Sequence, residues 1–174
     1  MRLKDKVAII TGGSRGIGFA TADAFLREGA KVAVAASSEK NAEAAVEKLK
    51  AIHPDAEVVG ISPNLGSFES VKEEFDKVEK QFGRIDILVN NAGVSESTPF
   101  TSYTEADFDR VIDLNVKGVF NATRAVVDGM IKNHSGVVLN TSSMVSISGQ
   151  PSGFAYPASK FAVNGTTISL AREL

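Results

Sequence analysis

The sequence predicts an α/β fold, a doubly wound parallel sheet of five or more strands with helices on both faces. Two observations lead there. Short, continuous apolar runs alternate along the chain with longer segments of helical period. Parallel strands joined by right-handed helical crossovers then leave the doubly wound arrangement as the leading topology, with ligands bound beyond the carboxyl ends of the strands.

Val7–Ile10 is a continuous apolar run ending in Thr11-Gly12-Gly13, the pattern of a strand covered on both faces. From Gly16 to Glu28 the apolar positions Ile17, Ala20, Ala24 and Phe25 recur at helical spacing, and Gly29 is a stop signal. Val32–Ala36 is a second strand. Ala42–Ile52 is a second helix, which His53-Pro54 ends. The alternation continues with a strand at Glu57–Ile61, a helix at Val71–Phe82, a strand at Ile85–Val89 and a loop through Pro99. Thr104-Glu105-Ala106-Asp107 matches a capping pattern, so Thr104 is expected to cap a helix reaching Val111-Ile112 or beyond. A further helix follows Gly118, a fifth strand covers Gly136–Leu139, and a last helix begins near Pro157.

Composition narrows the function classes. A chain of 174 residues, 43% hydrophobic and 23% charged, suits one core, so a single domain over 1–174 is expected. A net charge of -2 argues against nucleic acid as a partner. With no cysteine, and with His53 and His134 far apart in sequence, no metal is expected and both histidines read as surface residues beside turns. Met1–Lys6 leads straight into a strand without a long apolar stretch, so the expected location is the cytoplasm, without a membrane partner. Phe100, Phe108 and Phe120 read as core or interface aromatics.

Thr11-Gly12-Gly13-Ser14-Arg15-Gly16-Ile17-Gly18 lies between the first strand and the first helix. Glycines there let the backbone turn sharply beside a pyrophosphate, and a helix N-terminus offers free N–H groups and a partial positive charge. A tight turn alone is the bland alternative, and the strand–loop–helix context favours a Rossmann-like dinucleotide site. The spacing Gly-x-x-x-Gly-x-Gly resembles the compact branch of the short-chain dehydrogenase/reductase family. Asn90-Asn91-Ala92-Gly93, Asn115 within Asp113-Leu114-Asn115-Val116, Ser143 thirteen positions before Tyr156, and Tyr156-Pro157-Ala158-Ser159-Lys160 follow in that family's order.

The resemblance implies a catalytic set of Asn115, Ser143, Tyr156 and Lys160. Tyr156 would be the general acid in reduction and the base in oxidation, Lys160 would also bind the nicotinamide ribose, Ser143 would hold the substrate oxygen, and Asn115 would anchor a proton-relaying water. The spacing has a physical reason: residues four apart share a helix face, so the ammonium stands near the phenol and favours its ionised form. The implied cofactor residues are Gly12, Ser14, Arg15, Gly16, Ile17, Gly18, Ser37, Ser38, Asn64, Leu65, Asn91, Ala92 and Gly93, with Tyr156 and Lys160. Ala36 stands where an NAD-selecting Asp would be, Ser37 and Ser38 can bond phosphate oxygens, and Arg15 can pair with a 2′-phosphate, so NADP(H) is expected. Asn64 replaces the family's usual Asp beside the adenine and keeps an acceptor oxygen.

Similarity extends to 3-oxoacyl-carrier-protein reductases and to carbonyl and hydroxysteroid reductases, acting on a small carbonyl or alcohol as homodimers or homotetramers. The chain stops at Ala171-Arg172-Glu173-Leu174, midway along the expected tyrosine helix, so a C-terminal truncation is expected that removes the family's final strands and leaves a bare sheet edge. The alternative function is a nucleotide-binding or regulatory fragment without turnover.

Overall fold

The computed structural model describes all 174 residues. Parallel strands β1 (Val7–Thr11), β2 (Lys31–Ala35), β3 (Val58–Ile61), β4 (Ile87–Asn90) and β5 (Val137–Asn140) form one sheet in the order β3-β2-β1-β4-β5. The helices are α1 (Gly16–Arg27), α2 (Glu39–Ile52), α3 (Phe68–Phe82), α4 (Glu105–Ile112), α5 (Gly118–Lys132), the single turn α6 (Val145–Ser148) and α7 (Ala155–Glu173).

Strand periodicity divides the core. Val7 and Ile9 of β1, with Ala33 and Ala35 of β2, face α3 and α5 through Val71, Phe75, Val78 and Val126. Ala8 and Ile10, with Val32 and Val34, face α1 and α2 through Ala22, Leu26, Ala45 and Leu49. Every residue of β1 is therefore buried, which is why the strand is an unbroken apolar run. At its amino end the buried carboxylate of Asp86 accepts from Val7 N at 2.9 Å and pairs with Arg84 at 2.5 Å, binding the entries of β1 and β4 together.

After β3 the chain crosses back over β1 to lay β4 on its other side, so the strand order reverses between β1 and β4. The reversal separates the loops after those two strands and opens a crevice between them. The glycine loop and Asn91-Ala92-Gly93 flank it.

Several boundaries differ from the sequence reading. α2 and α3 each begin three residues before the expected start, at Glu39 and Phe68, because Ser38 and Ser67 accept from the amides of Asn41 and Ser70 and so cap the earlier turns. Thr104 and Asp107 form the expected reciprocal capping box on α4. α4 does not simply end: Asp113–Lys117 continues it as a π-helical turn into α5. α7 starts at Ala155, placing Pro157 within its first turn, where a missing N–H breaks no helical bond.

Phe100, Phe108 and Phe120 stand outside the core, at 71%, 36% and 59% exposure. His53 is more than a turn residue: its Nε2 lies 2.7 Å from Asp23 Oδ1, joining the end of α2 to α1. The sheet ends at β5, whose Val137 and Leu139 are half-exposed, while Val138 and Asn140 on its other face line a groove of about 600 Å³ between α5 and α7. No helix is long and apolar enough to cross a membrane.

Candidate active site

The glycine loop is shaped by close contacts. Gly12 has φ +64°, and a Cβ on it would lie 2.9 Å from Ala92 Cα. A Cβ on Gly18 would lie 2.3 Å from Gly12 O, so glycine there lets α1 press onto the loop. Thr11 Oγ1 accepts from the amides of Asn91 and Ala92, both at 3.0 Å, and Asn91 Nδ2 donates to Thr11 O at 3.1 Å. These bonds lock the loops after β1 and β4 to each other. Arg15, the N-cap of α1, puts no side-chain acceptor on the first turn, and that turn carries no acidic residue. Its N–H groups are left free for an external anion.

A cleft of about 820 Å³ runs along these loops, lined by Gly12, Ser14, Arg15, Gly16 and Ile17 after β1 and by Ser37, Asn64 and Leu65 after the neighbouring strands. Asn91, Ala92 and Gly93 close its far side. Four expected cofactor residues stand apart from its lining, Gly18, Ser38, Tyr156 and Lys160. Gly18 packs beneath the loop, and Ser38 Oγ accepts from Asn41 N at 3.3 Å as the cap of α2. Asn64 Oδ1 accepts from Gly66 N at 3.0 Å, leaving one lone pair towards the cleft.

The sequence reading missed Asn41 and Lys48, which reach the cleft from α2. They share a helix face with Ala44 and Ala45, but placing the helix start at Ala42 hid that face. Lys48 adds a second cation to the wall that carries Arg15.

Beyond Gly93, outside the cleft's lining, lies α7. Lys160 is only 6% exposed, its Nζ donates to Thr141 O at 2.8 Å, and it stands 5.8 Å from the Tyr156 ring centroid. Burial pushes its ammonium below the ordinary lysine range. That ammonium has further N–H donors besides the one used on Thr141. Gly93 lies beside it and makes room for Asn115: a Cβ there would lie 3.1 Å from Asn115 Oδ1, while Lys160 Nζ, at 3.8 Å, would be in ordinary contact.

Asn115 owes its position to the π-helical turn, which widens the helix at a buried point. Its Oδ1 accepts from Val94 N, and its Nδ2 donates to Val94 O and to Ser159 Oγ, at 2.9, 2.9 and 3.0 Å. Both amide hydrogens are thus committed, and one lone pair of Oδ1 remains. Ser159 Oγ in turn donates to Tyr156 O at 2.7 Å. Asn115 is therefore tied through Ser159 to the backbone of Tyr156, a link that sequence distance conceals.

Ser143 lies between β5 and α6, where its Oγ accepts from Val145 N at 3.4 Å. Its carbonyl accepts from Ser146 Oγ, which also accepts from Asn164 of α7 at 2.8 Å. Ser142 instead turns towards α7, donating to Lys160 O at 3.5 Å.

The same organisation recurs in known proteins. The model of the family described as short chain dehydrogenase matches residues 6–174. A 3alpha-hydroxysteroid dehydrogenase of Mediterraneibacter gnavus is 52% identical over the whole chain, which spans 70% of that protein. A 3-oxoacyl-[acyl-carrier-protein] reductase of Thermotoga maritima is 41% identical, again over the whole chain and 70% of the relative. Among solved structures, an NAD+-bound xylitol dehydrogenase superposes with a TM-score of 0.94 at 33% identity, covering 99% of this chain and 66% of the other. Because the match runs unbroken from the entry of β1 through the tyrosine helix, this chain belongs to the short chain dehydrogenase family of oxidoreductases.

Proposed function

We propose that this chain binds NADP(H) and interconverts a secondary alcohol and its ketone, with Tyr156 as the proton donor and acceptor. The observation that carries the proposal is buried Lys160, whose Nζ stands 5.8 Å from the Tyr156 ring centroid and behind Gly93, a residue of the glycine-loop cleft. A cation is costly to bury without a use for its charge.

The residues present fit a dinucleotide. Gly12 lets the backbone approach closely, the first turn of α1 offers unpaired amides, and no carboxylate lines the cleft. Ser14, Gly16 and Ile17 would hold the pyrophosphate, Arg15 and Ser37 the 2′-phosphate, Asn64 and Leu65 the adenine, and Asn91, Ala92 and Gly93 the adjoining ribose. Ser38 supports this wall as a helix cap. When bound, the nicotinamide supplies or accepts the hydride.

During ketone reduction negative charge grows on the substrate oxygen, and donors must already face it. Ser143 Oγ donates a hydrogen bond to that oxygen and Tyr156 transfers its phenolic proton to it. The Lys160 ammonium stabilises the charge then left on the phenol and holds the ribose with its remaining donors. Asn115 anchors the water that reprotonates Tyr156 through the lone pair its own bonds leave free. In alcohol oxidation each proton moves in the opposite direction.

A ring-borne hydroxyl, as on a hydroxysteroid, is the favoured substrate class. The relative with that activity in its name is the more similar of the two, and Met144, Ile147 and Phe154 form an exposed apolar rim near Ser143 and Tyr156. Exposed Phe120 of α5 and Phe161 of α7 support assembly as a cytoplasmic homodimer or homotetramer. The alternative reading is nucleotide binding without turnover.

Following NADPH absorbance with a 3-oxosteroid and with an acetoacetyl thioester separates these readings. Steroid-dependent oxidation is expected, falling about 1,000-fold in Tyr156→Phe. NADPH binding without oxidation by either ketone overturns the enzymatic proposal, and faster turnover of the thioester overturns the substrate class.

A further inference from the structure

Outside the cleft, the segment from Val94 to Thr104 is fastened to the residues that lead into α7. Tyr103 Oη donates to Glu96 Oε1 at 2.9 Å, and Thr98 N donates to Glu96 Oε2 at 3.1 Å. Gln150 Nε2 bridges the carbonyls of Glu96 and Gly153, at 3.1 and 2.9 Å, while Gly153 N donates to Thr98 O at 2.9 Å. The two backbones touch: Gly153 has φ +84°, and a Cβ on it would lie 2.2 Å from Glu96 O. Phe154 packs on Phe100 and Phe108, with ring centroids 5.2 and 6.4 Å away.

These contacts converge on Gly153 and Phe154, the two residues that lead into α7. α7 has no side-chain cap of its own, so its first amides lack helical partners. The Tyr103 phenol, through its bond to Glu96, holds the segment on which Gly153 and Phe154 rest just before that helix. Desolvation, reinforced by the bond to Glu96, holds that phenol above the ordinary tyrosine range, so it keeps its proton as a donor. The same segment grips the far side of Tyr156 as well, through Val94, Asn115 and Ser159.

We infer that Glu96, Tyr103 and Gln150 form a positioning clasp that fixes the first turn of α7 and so aims the Tyr156 hydroxyl at the reacting oxygen. The inference rests on the reading of Tyr156 as proton donor. Their side chains bond to one another and to the backbone of Thr98, Glu96 and Gly153, and to none of Asn115, Ser143, Tyr156 and Lys160, so they act through α7.

The test compares Tyr103→Phe, Glu96→Ala and Glu96→Gln in the intact protein, with Tyr156→Phe as reference. Tyr103→Phe and Glu96→Ala are expected to lower kcat about 10- to 100-fold, the scale of a small misalignment, while NADPH affinity measured by fluorescence is unchanged. Glu96→Gln, which keeps an acceptor oxygen for Tyr103, recovers most of the kcat lost in Glu96→Ala. Independently of turnover, exchange of the Gly153 amide, which is bonded to Thr98 O, is expected to be about 10-fold faster in Glu96→Ala. Wild-type kcat in both Tyr103→Phe and Glu96→Ala overturns the clasp. So does a parallel loss of kcat and NADPH affinity, or unchanged Gly153 exchange. Turnover retained in Tyr156→Phe overturns the parent reading instead.

Discussion

Asn115→Ala removes the side chain that joins the loop after β4, the π-helical turn and α7. The residue is 1% exposed and makes three hydrogen bonds, to Val94 N, Val94 O and Ser159 Oγ. At about 1 kcal/mol net for each bond, and with the Val94 amide left unpaired, the expected loss of stability is about 3–4 kcal/mol. For a chain of this size that lowers the thermal midpoint by about 10 °C. Asn121→Ala is the matched control. Asn121 is equally buried, at 2%, but its side chain makes one bond, to Leu65 O at 2.7 Å, so a loss of about 1 kcal/mol is expected. Urea titration followed by circular dichroism measures both variants, and an unchanged slope confirms that the surface exposed on unfolding is the same. Pairing Asn115→Ala with Ser159→Ala should reveal a coupling of about 1 kcal/mol, because one of the bonds is counted twice. Equal losses in Asn115→Ala and Asn121→Ala would refute the hydrogen-bond accounting.

Gly18→Ala drives a methyl towards Gly12 O and is expected to weaken NADPH binding at least about 10-fold, whereas Gly16→Ala, with φ +55° and open space around it, costs only about 1–2 kcal/mol of strain; fluorescence titration and thermal melts distinguish them. Ala36→Asp places a carboxylate at the end of β2 and is expected to turn an NADPH preference into an NADH preference, with the ratio of the two dissociation constants as readout. Lys160→Met is expected to abolish ketone reduction while sparing or raising stability near neutral pH. Burial lowers the folded-state pKa of Lys160 below its unfolded value of 10.5, so the unfolded chain binds more protons between the two values and wild-type stability rises with pH across that alkaline window. The stability gap between Lys160→Met and wild type should therefore change in favour of wild type from neutral pH to about pH 10.5, and urea titrations at several pH values check it.

Much of the architecture was legible because burial on both faces leaves a local mark. Val7–Thr11 had to be apolar throughout, and Gly12 and Gly18 answer demands for positive φ or close packing that few other residues can meet. The early starts of α2 and α3 were less visible, since their first turns are solvated and polar and only the capping bonds of Ser38 and Ser67 define them. The π-helical turn left no mark in the periodicity, because it inserts into a helical segment without interrupting its residue types.

By itself, the sequence determined the alternation of strands and helices, the glycine loop, and the spacing that puts Tyr156 and Lys160 on one helix face. Those are relations between residues near one another along the chain, and local sterics and helical period enforce them. Only the tertiary structure decided the strand order, the burial of Lys160 against Thr141, the bonds that exhaust most of Asn115, and the joining of Glu96, Tyr103 and Gln150 ahead of α7. Each of these depends on which distant segments are packed together, and free energies of that kind are properties of contacts rather than of any one stretch of chain.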